Sequence, residues 1–164
     1  MSVDEPFWLL REWEAWVRWY EEGRRLMVSA VTLIRSAELS EVAQYAYAAT
    51  APADARLVFL AGSCPLDKAG ATVGKGDYAL QAEQCVANMQ TALLDVGATV
   101  EDVISTRVLV ASTERRDLVT AWQVVREAFG DHDAPSTLLG VTVLGYEYQL
   151  VEIEAVAAVR DPIT

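Results

Sequence analysis

Apolar side chains recur at helical spacing in two stretches of this chain and alternate in several others. Ala82, Cys85, Val86, Met89, Leu93 and Val96 form one stripe, with Asp77 placed to cap its start and Gly97 to close it. Leu118, Ala121, Trp122, Val125 and Phe129 form a second, with Thr113 as the expected cap and Gly130 as the stop. Around them, residues 31–34, 45–48, 57–60 and 106–110, then about 137–144 and 149–159, read as strands. The expected order is β-β-β-α-β-α-β-β, an α+β fold with both helices on one face of the sheet. Gly62, Pro65, Gly70 and Gly74 punctuate a loop of about a dozen residues between the third strand and the first helix.

Residues 1–26 have a different texture. Leu9, Trp13, Trp16, Val17 and Tyr20 share one helical face, and Arg11, Glu14, Arg18, Glu21 and Arg25 lie opposite. Ser2 with Glu5 resembles a capping box, Pro6 suits a first turn and Gly23 a stop. The pattern predicts an amphipathic helix over 6–22 with an aromatic seam, a separate element (an upstream extension or a fusion) ahead of a domain at 27–164. Its seam would pack on the body or on a symmetry mate, or dock another protein. The polar face carries acids as well as bases, which argues against a helix lying on a membrane.

The last strand sets Val151, Ile153, Ala155 and Ala157 on one side and Tyr148, Leu150 and Val156 on the other. Two helices cover one face only, so the other is expected to be buried by further copies of the chain.

Composition narrows the function. The 164 residues are 52% apolar and carry a net charge of −11, which disfavours nucleic acid and anionic membranes, because both are held by Lys and Arg. Two cysteines and one histidine supply neither a disulfide framework nor a zinc set, and no cofactor is implied. No apolar run approaches the ~20 residues of a membrane span and the N-terminus is acidic, so the expectation is a cytoplasmic protein.

Four segments resemble the Rid (YjgF-like) family of enamine/imine deaminases. The run Phe59-Leu60-Ala61-Gly62-Ser63-Cys64-Pro65-Leu66-Asp67 is similar to "FVSGQIPLD". Gln81, Asn88 and Gly97 match a "Q…N…G" helix, residues 103–110 resemble "VVKTTVFV", and residues 151–157 are nearly "IEIEAIA". The resemblance spans about residues 27–160. It implies a chorismate-mutase-like fold assembled as a homotrimer, with a small-molecule cleft at each subunit interface. The implied chemistry is hydrolysis of small carboxylate-bearing enamines or imines, such as 2-aminoacrylate or 2-iminobutanoate, to a 2-oxo acid and ammonia.

By the same resemblance Tyr45 borders the cleft, Gly62 lays its backbone against the substrate with Ser63 and Cys64 beside it, and Glu152 positions the attacking water. The family's "PARS" arginine, which clamps the substrate carboxylate, has no counterpart in Ala134-Pro135-Ser136-Thr137-Leu138. Ser136 stands at its place, or Thr137 if the alignment slips by one, and Leu138 takes the next cleft position. Loss of a desolvated Arg–carboxylate pair weakens such a substrate by ~2–5 kcal/mol. Arg107 is the candidate to reach the same spot. The implied activity is therefore altered or lost, and the competing reading is a non-enzymatic trimeric scaffold that presents helix 6–22 to a protein partner.

Other constellations carry less. Glu152 and Glu154 are two apart on one strand and point the same way, roughly 7 Å apart. Asp131-His132-Asp133 with Ser136 suggests a triad only in name, since neighbours in one turn do not build one. Cys85 belongs to the inward helix stripe. Lys68, Gly70, Gly74 and Lys75 lack the GxxxxGK[ST] pattern of a phosphate loop.

Overall fold

The computed structural model describes residues 29–40, 42 and 44–160, so the expected helix over 6–22 lies outside the described residues. Six strands and two helices follow in the expected order: β1 (Thr32–Ile34), β2 (Ala48–Thr50), β3 (Arg56–Phe59), α1 (Tyr78–Asp95), β4 (Val103–Ala111), α2 (Arg115–Phe129), β5 (Ser136–Val141) and β6 (Val151–Val159). A 3-10 turn, residues 100–102, precedes β4.

Local chemistry sets most boundaries. The Asp77 carboxylate accepts from the Ala79 and Leu80 amides, and so starts α1. The helix ends at Asp95, where Gly97 at φ 76° lets the Ala98 amide reach the Leu93 carbonyl. Val96 is therefore the cap and is exposed, outside the stripe it was expected to complete. Thr113 does not cap α2. Ser112 takes that part, accepting from the Glu114 amide and donating to Asp117 at 2.7 Å. Tyr45 is not in a strand, because Gln44 turns at φ 55° and the Ala46 amide is spent on Asp133 O; pairing resumes at Ala48. β5 stops at Val141, where its partner β4 ends at Ala111.

The strands make two sheets rather than one: a β1–β2 ladder, and a four-stranded sheet in the order β3-β6-β4-β5. β4 and β5 run parallel, so α2 is the crossover between them, while β6 is antiparallel to both β3 and β4. α1 and α2 cover one face of this sheet. The core lies there, with Ala82, Cys85, Met89 and Leu93 of α1 against Val108, Val110, Val151, Ile153 and Ala157 of the strands.

The other face is open and apolar at one end. Leu57 is 51% exposed and Phe59 74%. Register arranges this face in rows across the strands: Phe59–Val156–Ser105, then Glu154–Arg107–Thr137, then Glu152–Leu109–Leu139. The two-sided character read from the last strand is present, although Tyr148 and Leu150 precede β6 and only Val156 of that trio lies in it.

Candidate functional site

Glu152 is held at the edge of the open face by a short built cluster. Phe59 opposes Val156 but Ser63 opposes Ile153, so four steps along the β3 side face three along β6. The extra residue is a β-bulge at Ala61–Gly62, the kind of irregularity that re-aims side chains beside functional sites. It brings the Gly62 backbone against Glu152: a Cβ on Gly62 would lie 2.0 Å from Glu152 Oε1 and 2.7 Å from its Cδ. A side chain at position 62 would push that carboxylate from its place.

Two further groups aim it. Gln149 is buried, and its Oε1 accepts from the Tyr146 amide, which turns its Nε2 to donate to Glu152 Oε2 at 2.9 Å. Cys64 Sγ lies 3.6 Å from the same oxygen and 3.6 Å from Gly62 O. Behind the loop, Asn88 of α1 donates to the carbonyls of Cys64 (2.8 Å) and Leu66 (2.9 Å), itself fixed by Gln84 at 2.9 Å. Ser63 pairs with Ile153 through both backbone bonds. The loop is thus tied from below by a helix and from the side by a strand.

Burial first, and then the neighbouring Glu152 charge, push the Cys64 thiol up to about 11. The Cys85 thiol is raised too, chiefly by burial. Cys64 is therefore an S–H donor near neutral pH rather than a nucleophile. Iodoacetamide at pH 7–9 should alkylate Cys64 about a hundredfold more slowly than a free thiol. Glu152→Gln should narrow that gap by removing the repelling charge; a wild-type rate equal to that of a free thiol would contradict this environment. The sign for stability follows: a thiol raised in the folded state contributes below its ordinary value of 9.0 and ceases to contribute as pH climbs through about 11.

The residues expected to line one cleft fall on both faces of the sheet. Gly62, Cys64, Glu152 and Thr137 belong to the open face, and Ser63 is buried between sheet and loop. Ser136 opposes buried Thr106, bonds it at 2.6 Å and faces the helices, as does Leu138, which packs on the core. Tyr45 is on the helix side as well, edge-on to Trp122 at 6.0 Å between ring centroids. Tyr45, Trp122, Phe129, Arg126 and Ser136 line a shallow crevice there. Within the described chain, neither Tyr45 nor Ser136 is brought together with Glu152. Arg107 does reach the open face, but its Nε is 2.7 Å from Glu154 Oε2. Among the described residues no three His, Cys, Asp or Glu side chains cluster as metal ligands.

Residues 36–159 match the sequence profile of the family described as Endoribonuclease L-PSP. The chain belongs to that family. A RutC family protein of Pyrococcus abyssi is 29% identical over 100 residues, 61% of this chain and 76% of that protein. One from Pyrococcus horikoshii is 31% identical over 100 residues, 61% of this chain and 77% of its own length. Among solved structures, the Rid family protein YyfB of Yersinia pestis superposes with a TM-score of 0.72 at 26% identity, covering 79% of this chain and 99% of that one. A YjgF/YER057c/UK114 family member from Mycobacterium tuberculosis gives 0.55 at 30% identity, over 79% and 99%. Sequence and fold agree on a YjgF/Rid-like protein.

Within this Rid-like frame, the glutamines and asparagine of α1 gain physical roles that their spacing alone does not disclose. Gln149 is the residue the sequence reading missed altogether. Its only signal is a glutamine immediately ahead of a strongly alternating strand, and what it does depends on a turn that no periodicity reports. No helix among the described residues is long and apolar enough to cross a membrane.

Proposed function

We propose that the chain assembles through its open sheet face into a homotrimer, and that Gly62, Ser63, Cys64, Gln149 and Glu152 line a seam cleft for a small enamine, imine or carbonyl compound. The observation that carries this is the Glu152 carboxylate, seated where a Cβ on Gly62 would displace it and oriented by Gln149, at the edge of an apolar face. One Glu152 oxygen is held by Gln149 and Cys64, and the carboxylate is the group placed to take a proton from water. Water adds to the C=N carbon as Glu152 accepts one of its protons and passes it to the nitrogen; the remaining hydroxyl proton then moves through Glu152 to the same nitrogen, the C–N bond breaks, ammonia leaves and a carbonyl remains, an enamine entering as its imine tautomer. Thr137 borders this face, while Tyr45, Ser136 and Leu138 would act only through a neighbouring copy or through packing.

The family's description names an endoribonuclease, but 24 acidic residues against 13 basic ones give RNA phosphates little to hold. Ammonia release from the imine of pyruvamide, a small carboxylate-free substrate generated in situ, tests the reading. Measurable turnover should fall about a hundredfold in Glu152→Gln and in Gly62→Ala, with melting temperature little changed, since the added methyl meets the mobile end of one side chain. Turnover that survives both substitutions, or no ligand binding by the wild-type chain, would overturn it.

A further inference from the structure

The charges of the open face point to the kind of ligand this site takes. Its rows hold one cation, Arg107, and two carboxylates, Glu152 and Glu154. Arg107 is committed to Glu154 at 2.7 Å. Thr137, opposite Arg107 on β5, is uncharged, and Leu109 and Leu139 continue the Glu152 row. The partners of Glu152 itself, Gln149 and Cys64, are neutral donors.

Two other basic groups are turned away or engaged. Arg56 has the parity of Val58, on the helix side. Lys75 sits over the Tyr148 ring, 4.3 Å from its centroid. An anionic head group entering beside Glu152 would thus meet a carboxylate, with Arg107, the cation of these rows, held by Glu154. A planar neutral group or a protonated C=N group would meet a carboxylate already aimed at it. Partial desolvation between copies strengthens the discrimination, because like charges repel more as water is removed.

Building on the cleft reading above, we infer that the Glu152 site selects small planar ligands without a carboxylate, protonated imines or amidines before neutral carbonyl compounds, and rejects 2-oxo and 2-imino acids. The test is ligand-observed NMR titration of the assembled protein with three probes of one size: acetamidine, pyruvamide and pyruvate. Acetamidine should bind at least about tenfold more tightly than pyruvate, with pyruvamide between them. Glu152→Gln should collapse that order, and raising salt should compress it in the wild type. Thr137→Arg adds a guanidinium to the open face beside Arg107 and should raise pyruvate affinity about tenfold. Should Thr137→Arg not fold, the salt series and Glu152→Gln carry the decision. Pyruvate binding as tightly as acetamidine would overturn the selectivity while leaving the cleft intact. Failure of all three probes would overturn the cleft, and the selectivity with it.

Discussion

Phe59→Asp should convert the proposed trimer into folded single protomers. Phe59 is 74% exposed and opposes Val156, with Leu57 (51%) two residues away on the same face of the edge strand β3. Burying a phenylalanine side chain contributes about 1.5–3 kcal/mol relative to leaving it in water. An aspartate there also forces a carboxylate into the seam, so the loss per contact exceeds the lost burial. A closed ring of three repeats the loss at every interface, which raises the dissociation constant by several orders of magnitude at 1.4 kcal/mol per tenfold. Within the protomer the substitution touches nothing buried, so far-UV circular dichroism and the chemical unfolding midpoint should be nearly unchanged. Sedimentation equilibrium reads the outcome: wild type at three protomers and the variant at one. A variant that sediments like wild type would show that this face is not the seam.

Gln81→Ala should be the most destabilising single change outside the apolar core. Gln81 is fully buried on α1, yet its side chain serves the loop before β6 rather than its own helix. Its Nε2 donates to the carbonyls of Tyr148 (2.8 Å) and Gly74 (3.3 Å), and its Oε1 accepts from the Leu150 amide at 2.7 Å. Truncation leaves the Tyr148 carbonyl and the Leu150 amide without protein partners, while the Gly74 carbonyl keeps the Asp77 amide, at about 1–3 kcal/mol for each buried polar group so abandoned, or roughly 3 kcal/mol for the site. With a urea slope near 2 kcal/mol per molar the midpoint should fall by about 1.5 M. Gln81→Glu keeps the acceptor for Leu150 but faces two carbonyls with a carboxylate, so it should not rescue. A shift below 0.5 M would mean that water replaces the amide at little cost. Because Gln149 lies between Tyr148 and Leu150, the same truncation should loosen Glu152 and weaken ligand binding beyond what stability alone explains.

These two residues illustrate what sequence patterns disclose. Phe59 was legible: an apolar residue in a strand with both faces apolar marks a surface that something must cover. Gln81 was visible only as a motif letter, since a glutamine within an apolar stripe gives no sign of the carbonyls it meets 67 residues away. Tyr148 shows the same limit, as its φ of 62° is set by the turn that presents its carbonyl to Gln81. Glycine is the usual occupant of that conformation, and no turn rule would place a tyrosine there.

The sequence by itself determined both helices of the body, their inward stripes, the succession of strands and helices along the chain and the alternation of β6, because these follow from local periods of 3.6 and 2. Through the family resemblance it also put Gly62 and Glu152 side by side, and the structure brings them into contact. Tertiary structure alone decided which residues of β5 share that site's face. Ser136 and Thr137 are neighbours in the chain and point to opposite sides of the sheet, and a slip of one residue exchanges them. Only the pairing of β5 with β4, which sets Ser136 against buried Thr106 and Thr137 against Arg107, turns Thr137 toward the face of Glu152 and Ser136 toward the helices.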